Sequence, residues 1–405
     1  MRAYHTPLDL VRSSELEVPA ICTRPDLLAR ASQWFQDRFP GEILYAVKAN
    51  PSPWVIDGLY ASGLRWFDVA SMAEIEMVAS RCPQAKLAFL HPIKSRAAIR
   101  RAYHDYGVRV FAIDCAEELQ KIIEETGGAR DLTLIVRLAV SNDHSVLPLT
   151  GKFGVSAHEA PALIHQARAV ADQLGVCFHV GSQCMQPDAF RQAMDLSSRL
   201  IAQAGVTIDI IDVGGGFPSL YPGLTPPPLQ AYLDTITQAF ENMLVLENAT
   251  LWCEPGRALV ADAESVLVRI DLRKEDALYL NDGAFGTLFD ASHSDWPFPM
   301  RAVHADGRLA TGRTVPFRLY GPTCDSEDVL AGRFDLPATL KTGDYIEIGL
   351  IGAYGTALTT RFNGCGQYDY VCVSDTPFAS AFDLEQRPAT ITPMHANGPG
   401  PSGAR

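Results

Sequence analysis

The sequence predicts an α/β fold: a closed (β/α)8 barrel over residues 23–263, then an antiparallel β domain over 264–385 to which residues 1–22 add a strand. Two observations carry this. Between residues 41 and 260, eight short apolar runs alternate with segments of helical apolar spacing. After about residue 264 the texture changes to period-two apolar–polar runs bounded by Gly, Pro and Asp turns. An open doubly wound sheet shows the same strand–helix alternation, and periodicity alone does not prove closure.

The eight runs are ILYAVKAN, LRWFDVAS, KLAFLHPIKS, VRVFAID, LTLIVRLAV, VCFHVGS, IDIIDVGGG and TLWCEPGR. Between them, AEIEMVASRC, AEELQKIIEE and DAFRQAMDLSSRLIAQAG space their apolar residues three and four apart, as amphipathic helices do. Strand alternating with helix implies a parallel sheet, and eight units suit a closed barrel. In the second part, ESVLVRIDLRKEDALYLNDG, RTVPFRLYGPTCDSEDV and GDYIEIGLIGAYGTALTTRFNG read as strands of an antiparallel sheet. Residues 386–405, ending ITPMHANGPGPSGAR, read as a disordered tail.

Composition narrows the function. A chain of 405 residues suits two domains, and 47% hydrophobic content is that of a globular protein. A net charge of −13 repels phosphates, which argues against a nucleic-acid or anionic-membrane binder but admits a small cationic substrate. The N-terminus MRAYHTPLDLVRSSELEVPA has no apolar h-region, and no stretch approaches the roughly 20 apolar residues of a membrane helix, so a cytoplasmic protein is expected. Nine scattered cysteines without CxxC pairs fit a reducing compartment and form no metal-site pattern.

Polar residues collect at the C-terminal ends of the runs: Lys48, Asp68, His91, Arg137, His179 with Ser182, Gly214–Gly216, and Glu254 with Arg257. In a barrel these ends share the face where active sites form. A lysine there serves as a solvated charge, a phosphate clamp or an amine nucleophile toward an aldehyde. Burial against the barrel wall is expected to lower its pKa and favour the last. The three glycines of Asp212–Phe217 let backbone N–H groups converge on an anion, although the spacing is neither GxGxxG nor a P-loop. Glu254-Pro-Gly-Arg257 adds a guanidinium for a phosphate and a carboxylate beside it. A carboxylate aimed at a ring nitrogen, with a lysine opposite, is what pyridoxal 5'-phosphate (PLP) chemistry requires.

With YAVKAN, FDVAS, HVGS, DVGGGFP, EPGR, NDGAFG, GPTCDSED and GAYG in this order, residues 20–385 resemble the fold-type III PLP-dependent basic amino-acid decarboxylases, most of all the ornithine decarboxylases. The resemblance implies an alanine racemase-like barrel. It implies that Lys48 holds PLP covalently, His179 stacks on its ring and Glu254 pairs with its pyridine nitrogen. Ser182, Gly214, Gly215, Gly216, Arg257 and Tyr354 would bind the phosphate, with Asp68 and Arg137 near Lys48. It further implies a homodimer with shared active sites, in which GPTCDSED reaches into the neighbouring subunit. Cys324 would protonate the substrate α-carbon, Asp325 and Asp290 would meet the distal ammonium with Tyr354 alongside, and Lys152 would pair with Asp328 across the interface.

The implied reaction is decarboxylation of L-ornithine to putrescine in polyamine biosynthesis, with L-lysine or dual activity second. Diaminopimelate decarboxylation ranks third, since that branch typically carries Glu where this chain has Asp325. A catalytically silent regulatory homologue is the reading from another class, and such a protein is expected to have lost Lys48, Cys324 or part of the phosphate site; this chain has them all. Two departures from the family pattern are Ser292–Trp296 (SHSDW) and Asn363-Gly-Cys365, where relatives usually carry an aromatic residue in place of the cysteine.

Overall fold

The computed structural model describes residues 1–386 apart from Glu15, Thr150, Leu246 and Asn248; the expected tail falls outside the described residues from residue 387 on. Eight parallel strands close a barrel in the order Glu42–Ala46, Trp66–Val69, Lys86–Phe89, Val110–Ile113, Thr133–Arg137, Gln173–Cys177, Ile210–Asp212 and Thr250–Cys253. The last strand pairs with the first through Trp252 and Glu42, and this closure rules out the open sheet.

Strand residues alternate between two cores, as a pleat of period two requires. Leu44, Ala88, Val110, Ala112, Ile135, Cys177, Ile210 and Trp252 fill the barrel interior. Their neighbours Tyr45, Phe67, Phe89, Phe111, Leu134, Val136 and Ile211 face outward and pack under the helices. The same alternation puts Asp68, Arg137, Asp212 and Glu254, each one residue after an outward-facing side chain, on the inward parity at the barrel mouth.

The surrounding helices follow from apolar stripes and local stops. In Asp188–Ala204, residues Phe190, Ala193, Met194, Ser197, Leu200, Ile201 and Ala204 form one buried face. The helix ends at Gly205, whose φ of 67° is left-handed and suits glycine. Ser71 caps Met72–Arg81 by accepting from the Glu74 N–H.

The second part is a nine-stranded sheet built around the long strand Glu264–Lys274. Antiparallel pairing dominates around that strand: Ala20–Thr23, Ala277–Leu280 and Tyr345–Ile348 all pair with it in this sense. The sheet as a whole is mixed. Asp369–Val373 runs parallel to both Arg2–Tyr4 and Ala20–Thr23, and Ala277–Leu280 runs parallel to Thr314–Tyr320. These partners are distant in the chain, so no hairpin imposes the antiparallel sense. Arg24, 3% exposed, ties the barrel to this sheet through Glu347 and Asp375, each at 2.9 Å. Among the described residues no helix is long and apolar enough to cross a membrane.

Candidate active site

The first barrel strand ends in a single turn, Val47–Ala49, which lifts Lys48 out of the strand and over the barrel mouth. The turn is fastened to the sheet domain: Tyr354 N–H donates to Ala49 O (2.8 Å) and Asn50 Nδ2 donates to Gly352 O (2.8 Å). Lys48 Nζ donates to Asp68 Oδ2 at 2.6 Å. Asp68 is almost fully buried, whereas the lysine side chain keeps 42% of its surface open to the cavity. Desolvation pulls the Lys48 pKa down, but the carboxyl groups of Asp68 and Glu254 outweigh it and hold the ammonium above its ordinary range. The expectation of a lowered pKa therefore fails, because the wall beside this lysine is acidic rather than apolar.

Glu254 and Asp212 end adjacent strands, and both are buried. Burial raises both carboxyl groups, and their mutual repulsion adds to the effect on Glu254, so Glu254 holds a proton well above the usual carboxylate range. Asp212 Oδ1 accepts the Gly214 N–H (2.8 Å), while Oδ2 is buried without a hydrogen-bond partner. A proton-holding carboxyl opposite an ammonium suits a basic ring nitrogen between them.

The glycine turn follows Asp212. Gly214 has φ of 66°, and a Cβ there would meet Phe178 O at 2.1 Å; at Gly216 (φ 105°) it would meet Gly181 O at 2.5 Å. Only glycine fits this close approach of backbones. Gly214 spends its N–H on Asp212, so Gly215 and Gly216 are the members left to offer N–H groups to an anion. Arg257 is 4% exposed; its Nε donates to Ser182 Oγ (3.3 Å), and its guanidinium lies 4.9 Å from the Tyr354 ring centroid.

Asp290 departs from its expected place. Arg257 Nη1 donates to Asp290 Oδ2 (2.7 Å) and to Tyr221 OH (2.8 Å), so the carboxylate serves the arginine rather than the open cavity. The SHSDW segment explains itself in the same cluster: buried Trp296 packs on Tyr221, with centroids 5.4 Å apart, and 5.7 Å from the Arg257 guanidinium.

His179 borders the same space. Burial, then the charges of Arg137 and Lys48, lower its pKa to about 3, so the ring is neutral. Its Nδ1 accepts the Gly181 N–H (3.0 Å), which places the ring proton on Nε2. Lys48, Asp68, Arg137, His179, Ser182, Glu254 and Tyr354 together line a cavity of about 460 Å³. Sequence reasoning missed its outer wall, where Pro148, Leu149 and Phe153 also face the cavity. Phe153 is ringed by His91 (5.1 Å), Arg137 (5.5 Å) and Lys152 (5.1 Å). The only signal for it was the glycine on either side of Lys152-Phe153.

Cys324 and Asp325 lie on an exposed loop after the strand Thr314–Tyr320 and are not among the residues lining that cavity. Asp328, in the same loop, is buried, and its two oxygens accept Ala284 N–H (2.7 Å) and Thr323 N–H (2.9 Å). Asp328 is engaged within its own chain, and the Lys152 ammonium lies over Phe153; the expected pairing of the two joins different subunits and is not a contact within one chain.

A family model for the pyridoxal-dependent decarboxylases, describing their pyridoxal binding domain, matches residues 25–261. The chain belongs to this family. The lysine/ornithine decarboxylase of Selenomonas ruminantium is 30% identical over 385 residues, covering 90% of this chain and 94% of the relative. A crystal structure of mutant SrLDC in complex with PLP matches this chain with a TM-score of 0.80 at 27% identity, covering 93% of this chain and 98% of that one. The lysine/ornithine decarboxylase of Vibrio vulnificus, solved with cadaverine, matches with a TM-score of 0.78 at 29% identity over 91% and 98%.

The protein is thus a PLP-dependent basic amino-acid decarboxylase, a carbon–carbon lyase. Its site fits the cofactor on observations of its own. The glycine turn packs its backbone closer to Phe178 O and Gly181 O than any Cβ allows, Lys48 offers an amine, and Glu254 offers a carboxyl poised to hold a proton.

Proposed function

We propose that this decarboxylase converts L-ornithine to putrescine and carbon dioxide, with L-lysine turned over as a slower second substrate. The observation that carries the reading is the placement of Lys48 and Glu254 in one 460 Å³ cavity while Cys324 and Asp325 stand outside it on an exposed loop. A cavity missing its acid and its ammonium partner fits a homodimer in which each subunit lends this loop to the other's site.

Bound PLP supplies the electron sink that makes cleavage of the Cα–carboxylate bond possible. The chain's own residues do the rest. Lys48 would anchor the cofactor covalently, with Asp68 Oδ2 steering its Nζ. Glu254 would pair with the pyridine nitrogen, and the buried carboxyl of Asp212 beside it would favour positive charge there. Neutral His179 would cover the ring face without adding charge. The N–H groups of Gly215 and Gly216, with Ser182 Oγ, Arg257 and Tyr354, would bind the phosphate. Cys324 Sγ returns a proton to the substrate α-carbon, and Asp325 accepts the distal ammonium.

Asp325 also supports the order of substrates. A carboxylate at the far end attracts a cationic tail and repels a second carboxylate, which disfavours diaminopimelate. One methylene separates ornithine from lysine, a difference worth about 1–3 kcal/mol, so dual activity is part of the proposal. The test offers L-ornithine, L-lysine, L-arginine and meso-diaminopimelate together and identifies the amines formed. Putrescine in excess with minor cadaverine is expected; cadaverine or agmatine in excess, or L-lysine from diaminopimelate, overturns the substrate assignment.

A further inference from the structure

The segment Asn363-Gly-Cys365 has no part in the chemistry described so far, yet it touches the chain at a consequential point. The backbone N–H of Cys324 donates to Asn363 Oδ1 at 3.0 Å, across 39 residues of sequence. Asn363 holds φ of 55° and ψ of 17°, the left-handed region that side-chain-bearing residues rarely adopt and that asparagine tolerates better than most.

The turn that carries Asn363 is fastened independently of Cys324. Gly364 and Cys365 N–H groups donate to Arg361 O and Phe362 O, each at 3.1 Å, and Thr360 N–H donates to Phe285 O at 2.9 Å. The Phe362 and Phe285 rings meet with centroids 5.5 Å apart. Phe285 lies in the NDGAFG loop, whose Ala284 N–H donates to Asp328 Oδ1 (2.7 Å), while Asp328 Oδ2 accepts the N–H of Thr323 (2.9 Å). Two successive peptide N–H groups, Thr323 and Cys324, are therefore gripped by two side chains that both hang on the NDGAFG loop. The Cys324 side chain is exposed, and its backbone carries the restraint.

We infer that Asn363 is a positioning residue for Cys324: by holding the Cys324 peptide, it sets which carbon receives the proton after carbon dioxide leaves. This rests on the proposed role of Cys324 as the proton donor. Asn363 and Cys324 belong to one chain, so they move as a unit whichever subunit's site they serve. A proton placed on the substrate α-carbon releases the amine and returns the cofactor as the aldehyde. A proton placed on the cofactor's own carbon leaves the nitrogen on the cofactor; addition of water then releases an aminoaldehyde and pyridoxamine phosphate.

The test compares Asn363→Gly with Asn363→Asp, both of which tolerate a left-handed backbone while only the second keeps an acceptor. In the cofactor-free protein, amide hydrogen exchange in residues 321–328 is expected to quicken on the order of fivefold in Asn363→Gly, the worth of one hydrogen bond, and to stay near wild type in Asn363→Asp. In the holoenzyme turning over L-ornithine or L-lysine, Asn363→Gly is expected to raise pyridoxamine phosphate formed per amine released on the order of fivefold, with Asn363→Asp restoring the wild-type ratio. Cys324→Ala is the control. If it shifts the ratio and Asn363→Gly does not, the positioning role is overturned while the role of Cys324 stands. If neither shifts it, the role of Cys324 falls and this inference falls with it.

Discussion

Arg257 Nη1 and Asp290 Oδ2 form an ion pair at 2.7 Å, with side chains only 3% and 12% exposed. Tyr221 OH accepts from the same Nη1 at 2.8 Å, so the guanidinium is neutralised and oriented before any phosphate arrives. Removing the carboxylate strands a buried cation. Asp290→Ala is expected to lose about 3–5 kcal/mol of stability in urea unfolding of the cofactor-free protein. Millimolar inorganic phosphate should recover part of that loss by supplying a replacement anion. A loss below about 1 kcal/mol, the range of an exposed pair, would show that Arg257 finds other partners and that Asp290 is free for the substrate.

Much of this arrangement was legible in the residues. Eight apolar runs became eight barrel strands, because alternation of strand and helix has few other compact solutions. The inward parity of Asp68, Arg137, Asp212 and Glu254 follows from the pleat once their outward neighbours Phe67, Val136, Ile211 and Cys253 are recognised as apolar. What escaped were relationships between distant segments. The partner of Asp290 could not be read from SHSDW, since Arg257 lies 33 residues upstream and meets it only through the fold. The parallel pairing of Asp369–Val373 with Ala20–Thr23 joins opposite ends of the chain and leaves no local signature. The raised pKa of Lys48 depends on an aspartate one strand away, which periodicity cannot place at 2.6 Å.

Glu264 sits at the joint between barrel and sheet, fully buried, with Oε1 accepting Trp54 Nε1–H (2.8 Å) and Oε2 without a hydrogen-bond partner. Burial raises its pKa from an ordinary 4.5 to about 7, against smaller lowering effects of Trp54 and Asn50. The native protein therefore binds this proton more tightly than the unfolded chain does. The associated stability is full below pH 4.5 and is lost as pH rises through 7. Glu264→Gln removes this dependence. Between pH 4 and 8, the wild type is expected to lose about 3 kcal/mol more than the variant in chemical unfolding of the cofactor-free protein. Parallel stability–pH curves for the two proteins would show that Glu264 is ionised in the folded state throughout.

Borohydride reduction of the holoenzyme followed by peptide mapping identifies the lysine that anchors the cofactor. The pyridoxyl label is expected on Lys48 alone, and Lys48→Ala should abolish it while the barrel stays folded. Label on Lys152, the other lysine lining the cavity, or label retained in Lys48→Ala, would contradict the assignment.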